Sequence, residues 1–172
     1  MEKLIDQKFS KKQYQLDNHI LTLRVNKSPI LVRFMMYFFA AISFLVPLTG
    51  IVVSMASGYG LHIGMFFGLV VFGLIGFYLL RSALWNTYGE ELIDFSGSNI
   101  EYQANYGWFK DKIKSIGKEN LEFSNRSIGY EEDNAGALVI KEANSNSTIS
   151  TATKIPNDQI EDLIHELVSL VD

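Results

Sequence analysis

"RSALWNTYGEELIDF", residues 81–95, stands where a long uncharged run ends and polar and apolar residues begin to alternate. A cation, a tryptophan and a tyrosine crowd together, followed by a glycine, two carboxylates and a period-two pattern. The stretch is either a catalytic constellation or the joint where an apolar span passes into a water-facing domain. Its surroundings decide between the two. From Phe34 through Leu80 there is no Asp, Glu, Lys or Arg, and His62 is the one titratable group besides tyrosines. A soluble core helix has no reason to stay uncharged for so long, whereas two bilayer crossings of about 20 residues each do.

The run divides at the uncharged turn "ASGYG", residues 56–60, into spans expected at about 34–55 and 61–80. Pro47 and Gly50 lie inside the first, where a missing hydrogen bond can kink a helix. Arg33 and Arg81 sit at the outer ends of the pair, so the positive-inside rule places both termini in the cytoplasm. The apolar run follows about 28 polar residues and is too long for the core of a cleaved leader, so the first span is expected to act as its own insertion signal. Trp85 and Tyr88 follow the second span at headgroup depth, where amphipathic rings form belts. Arg81 can snorkel to the same level. Arg33, Arg81, Trp85 and Tyr88 are therefore the expected interface anchors, which answers the opening question in favour of the joint.

Charge separates the flanks. Residues 1–33 carry seven cations and three acids, while residues 82–172 carry seven cations and sixteen acids. The acidic C-terminal part argues against nucleic acid, whose phosphates it would repel. There is no cysteine, so no disulfide, thiolate nucleophile or cysteine-held metal exists. His19, His62 and His165 lack ligand spacing, and no phosphate loop or nucleophile motif appears. Glu90 and Glu91 are adjacent and would point to opposite faces of a strand, a poor arrangement for an acid–base pair. No catalytic residue, metal or cofactor is expected, and the protein is read as a non-enzyme.

The basic arm, residues 1–33, contains "YQLDNHILTLRV", which reads as one strand or a β-hairpin around Asp17 and Asn18. After residue 82 the period is two. Strands are expected within 90–96, at 100–106, around Lys110–Ile116, at Leu121–Phe123, at Ile128–Tyr130, at Leu138–Ile140 and at Thr148–Thr151, with polar turns at 131–136 and 144–147. Pro156 ends strand pairing. Asn157 or Asp158 then caps a helix over about 157–171, Glu161 completing a capping box with Asp158. Ile160, Leu163, Ile164, Leu167, Val168 and Val171 form its apolar stripe. The expected fold is α+β: a transmembrane helical hairpin, then a seven-stranded β sandwich or open barrel, residues 82–172, covered by the C-terminal helix.

Seven strands followed by one helix resemble the pleckstrin-homology (PH) superfold. More narrowly, "LLRSALWNTYGEELIDF" followed by "NIEYQANYGWFKDKIKSI" is similar to small bacterial two-span membrane proteins with a C-terminal bacterial PH-like domain. The matching positions are Leu84, Trp85, Asn86, Gly89, Glu90, Tyr106, Gly107 and Phe109. The resemblance implies a bacterial inner-membrane protein that works as a binding or scaffolding module, with no shared catalytic residue. It does not carry phosphoinositide binding, because the loop Ser96–Asn99 has no cation.

Two surfaces are candidates for contacts. Gly60, Gly64, Gly68 and Gly76 share a helical face on which backbones can approach closely, either within the hairpin or in a homo-oligomer. Asn86, Glu90, Trp108, Phe109, Lys110, Lys112 and Lys114 form a candidate surface for an unknown protein partner or for lipid, the three lysines on one face of the third strand. Besides the bilayer itself, the alternatives are an anionic-lipid sensing module and an accessory subunit of a larger membrane complex.

Overall fold

The computed structural model describes residues 12–129, 134–143, 145 and 147–171. Contacts divide the chain into two units: Lys27–Tyr88, and the chain on either side of it.

The first unit is a helical hairpin, α1 (Ile30–Ala56) and α2 (Ile63–Tyr88). Both helices are long and apolar enough to cross a membrane. At a rise of about 1.5 Å per residue each reaches about 40 Å, more than a hydrocarbon core of about 30 Å requires. α1 starts four residues before the expected span and runs through Pro47. α2 extends eight residues past Leu80, so Arg81–Tyr88 is helix and only Gly89 separates it from the next strand. In the turn between the helices Ser54 Oγ donates to Gly60 O at 2.9 Å.

The glycine face divides. Gly60 has φ +73° and lies outside the helix, so it cannot belong to a helical seam. A Cβ on Gly76 would come within 3.0 Å of the Phe44 ring and 3.1 Å of Ser43 Cβ, so Gly76 is where α2 lies close against α1. Gly64 and Gly68 meet nothing within 4 Å.

The second unit contains two antiparallel sheets. Strands β1 (Tyr14–Asp17), β2 (Ile20–Arg24), β3 (Glu90–Asp94), β4 (Asn99–Asn105) and β5 (Lys114–Gly117) form the first, in that order. The arm expected over 1–33 is thus not a separate segment. It supplies a hairpin whose turn residues, Asn18 and His19, both take positive φ, the requirement of a two-residue type I′ connection. β2 then pairs with β3, Ile20 opposite Asp94 and Arg24 opposite Glu90. The ladder closes with Val25 N–H donating to Gly89 O at 3.1 Å. The whole helical hairpin is therefore inserted between two neighbouring strands of one sheet.

In the second sheet β7 (Ala135–Glu142) is central. It pairs with β6 (Leu121–Ser127) along one edge and with β8 (Thr148–Ser150) and β9 (Ile155–Pro156) along the other. The strand expected at 121–123 runs on to Ser127, and the one expected at 128–130 is not formed at Ile128 and Gly129, which follow the end of that strand; Tyr130 lies outside the described residues, as do the centre of the 131–136 turn and Asn144 and Asn146. Pro156 does not end pairing but sits opposite Ala135 in a two-residue edge strand, where a missing N–H is tolerated.

α3 (Asn157–Val171) packs on β6, β7 and β9. Asp158 lies in its first turn, not at the cap, so the Asp158–Glu161 capping box does not form as expected. Asn157 instead links strands, accepting from Asn125 Nδ2 and donating to Asn134 Oδ1. Ile160, Leu163 and Leu167 are fully covered, while Val168 is exposed. The core between the sheets is built from alternate residues, among them Leu21, Leu23, Ile93, Phe95, Ile100, Leu138, Ile140 and Ile149.

If the strand pairing organises the β unit without the helices, a chain with residues 26–88 replaced by Asn-Gly, a preferred two-residue turn, should be soluble and unfold cooperatively. The fragment 89–172 should lose that cooperativity, because it lacks the buried Leu21 and Leu23. Thermal unfolding followed by circular dichroism checks both.

Candidate functional site

Period-two alternation from Ile93 and Phe95 puts Glu91 on the inward face of β3. Glu91 is fully buried. Its Oε1 accepts from the Tyr102 hydroxyl and from Ala152 N–H at 2.8 Å, and its Oε2 accepts from Thr153 N–H at 2.8 Å. Two donors are backbone groups of the segment between β8 and β9, so one carboxylate from the first sheet holds a connection of the second. Thr151 reinforces that connection by donating to Leu138 O and accepting from Leu138 N–H. Burial, and then the charge of Glu91 beside it, push the Tyr102 hydroxyl above its ordinary value. Three donors occupy both carboxylate oxygens. The arrangement acts as a pin between the sheets, where an unpaired charge would be costly.

Glu90 points the other way and accepts from Asn105 Nδ2 at 2.8 Å. Asn86 donates to Ser82 O and accepts from Ser28 Oγ at 2.6 Å, inside the helical unit. Thr87 donates to Ala83 O and accepts from Tyr37 at 3.3 Å. Glu90 and Asn86 thus spend polar groups within the protein. Arg33, Arg81 and Trp85 are half-buried, and Tyr88 is exposed.

The aromatic bend is a two-residue hairpin. Tyr106 N–H donates to Phe109 O at 2.9 Å, leaving Gly107, with φ +85°, and Trp108 at the tip. Positive φ at the first central position fits a type II′ connection and favours glycine there. Phe109 stacks on Tyr106 with centroids 4.8 Å apart, while Trp108 is 71% exposed. Beyond the tip the three lysines do not share a strand face. Lys110 bridges outward-facing Asn105, and Lys114 pairs with inward-facing Tyr102 and lies over its ring at 5.7 Å. Three residues, 111–113, oppose two on β4, a bulge that reverses the face. Strand β5 starts only at Lys114.

That bulge also turns Ile113 outward. With Ile20, Leu92, Asp94, Glu101 and Gln103 it lines a groove of about 180 Å³ on the outer face of the first sheet. A second groove, of about 360 Å³, lies between β6 and the end of α3, lined by Lys118, Asn120, Leu121, Phe123, Val168 and Val171. Among the described residues no three His, Asp or Glu side chains gather to hold a metal. No known family model matches the chain, and no curated protein matches it.

Sequence reasoning weighed Glu91 only beside Glu90 and missed its pairing with Tyr102. The signal was present, since Glu91 shares parity with Ile93 and Phe95, but its donors come from about sixty residues later in the chain. The outer groove could not be foreseen without the bulge.

Glu91→Ala should destabilise the β unit by more than about 3 kcal/mol, because two buried donors and one part-buried donor lose their acceptor. Glu91→Gln should cost about 1–3 kcal/mol, since its NH2 must face a backbone N–H. Denaturant titration measures both. Tyr102 gives the alkaline behaviour: its raised folded pKa means the unfolded chain releases the proton first, so its contribution to stability is constant below about pH 10 and is lost above it. Tyr102→Phe, less stable at neutral pH, should show a shallower alkaline fall.

Proposed function

We propose that this protein is a membrane-anchored binding or scaffolding module without catalysis, its helical hairpin crossing the bilayer and its β unit holding a protein partner at the cytoplasmic surface. The observation that carries the reading is how little the long helices bury. In their most apolar 18-residue windows, 17% of α1 and 6% of α2 is buried inside the protein. A soluble core helix hides its apolar face; here α2 is open on several sides, at Phe66, Phe67, Phe72 and Ile75. Lipid is the solvent that suits them.

Strand pairing supports a two-crossing topology. Hydrogen-bonded neighbours occupy one side of a membrane, so Arg24 opposite Glu90 requires an even number of crossings between them. Two helices of bilayer length supply two. Arg24, Lys27, Arg33 and Arg81 flank the pair, and the turn 57–62 carries no cation, which favours a cytoplasmic β unit with both termini beside it. The order β3 to β9 followed by α3, two antiparallel sheets and a covering helix, supports the PH-like reading. The bacterial inner membrane is the setting that resemblance suggests.

The partner surface best supported is the outer groove of the first sheet. Ile20, Leu92 and Ile113 form an apolar floor bordered by Asp94 and Glu101. Its size fits one or two side chains of a protein, apolar with a cationic end, and not a whole small ligand.

Single cysteines test the topology in intact cells. An impermeant maleimide should label Ser57→Cys from outside and Ser124→Cys only after permeabilisation; the reverse pattern contradicts the account. A photo-cross-linker at Ile113 tests the surface. It should yield one discrete protein adduct that Leu92→Asp abolishes, and adducts indifferent to Leu92→Asp would place the partner elsewhere.

A further inference from the structure

The register of the first sheet decides which of its loops share an end with the helices. β2 leaves the sheet after Arg24 and β3 enters it at Glu90, so both helical connections are at one end. Asn105 pairs with Glu90, so β4 finishes at that same end. The Tyr106–Phe109 tip is therefore one strand spacing from where the chain returns from α2 and two from where it leaves for α1. By contrast, the Asn18–His19 turn and the loop Ser96–Gly97 lie at the opposite end, since Ile20 pairs with Asp94.

The chemistry of this tip is unlike the rest of the β unit. Trp108, at 71% exposure, exceeds Ile20, Ile113 and Val168, the other exposed large apolar side chains of that unit among the described residues. Gly107 lets the turn close tightly and leaves Trp108 at its tip, while the Tyr106–Phe109 stack stiffens its base. Lys110 follows directly and is exposed, as is Lys112. Arg24 and Lys12 occupy the same end, where Arg24 N–H donates to Gln13 O. The nearby acids are engaged: Glu90 by Asn105, Asp111 by the Tyr106 hydroxyl at 3.2 Å, and Glu166 by Lys12 at 3.3 Å. The end is thus a tryptophan on a stiff hairpin, with the exposed Lys110 and Lys112 beside it.

Resting on the membrane-spanning reading above, we infer that Trp108 and Lys110 are a third bilayer contact: the hairpin tip enters the headgroup layer of an anionic leaflet and fixes the orientation of the β unit. An indole prefers the interface because its body is apolar and its N–H remains hydrated. Each lysine near an anionic surface favours the docked state about fivefold. With the tip seated, the outer groove is held at a constant height above the lipid, and its partner meets a fixed surface.

The test uses the full chain in lipid nanodiscs, with Trp85→Phe leaving Trp108 as the sole tryptophan. Lipids brominated near the headgroup should quench Trp108, and iodide should quench it less in discs containing phosphatidylglycerol than in purely zwitterionic discs. Lys110→Glu should weaken that protection about fivefold or more in the docked-to-free ratio. Equal iodide quenching in both discs, with no effect of bromolipid, overturns the inference. A Leu74→Cys chain separates this from the reading beneath it: protection of Cys from aqueous maleimide with an unquenched Trp108 removes the third contact alone, whereas rapid labelling removes the spanning hairpin as well. Should Trp85→Phe fail to fold, a nitroxide on Trp108→Cys gives the same depth from its relative accessibility to oxygen and to a water-soluble nickel complex.

Discussion

The pairing of β2 with β3 is the constraint on which the rest of this structure depends. Two neighbouring strands of one sheet are normally joined by a few residues, and here residues 26–88 come between them. Closing a loop costs entropy that grows only with the logarithm of its length. A helical hairpin reduces even that cost, because antiparallel helices return the chain close to where it left. The insertion is physically cheap, provided its interior has an environment of its own.

That environment is written into the two units differently. The β unit hides its apolar residues between sheets and under α3, so water can surround it. In the helical unit Ala40, Ser43 and Gly76 are buried while most of the large side chains, Leu84 excepted, are open. Small residues inside and large apolar residues outside reverse the soluble pattern. Glu91 gives the β unit its cohesion from the opposite direction: one charge sealed in the core, satisfied by a tyrosine and by two backbone N–H groups of the other sheet. Its removal would be felt at the joint between sheets.

The parts of this fold governed by composition and local period were legible in the sequence. The uncharged run Phe34–Leu80 gave two helices, and alternation gave β3, β4 and β8 nearly to the residue. Ile160, Leu163 and Leu167 gave α3. What escaped was governed by pairing. Nothing local says that Leu21 and Leu23 seek Ile93 across a helical hairpin, or that Pro156 finds Ala135. Alternation over Lys110–Lys114 looked unbroken, yet an extra residue opposite β4 reversed its sense and changed both the lysine row and the outer groove. Four-residue spacing placed Gly60 with Gly64, although a positive φ keeps it in the turn. Of the candidate site, Trp108 and Lys110 were visible as residue types, but their place at the helix-bearing end depends on the register of Asn105 with Glu90.

Hydrogen–deuterium exchange on the full chain in lipid nanodiscs addresses the central claim most directly, because it reads both units in one molecule. A hairpin in lipid enclosed by paired strands should show slow exchange through most of 34–55 and 63–80, rapid exchange at 57–62, and β2 protected together with β3. The account is contradicted if the helices are equally protected in a monodisperse, detergent-free solution, or if β2 exchanges like free chain while β3 stays protected.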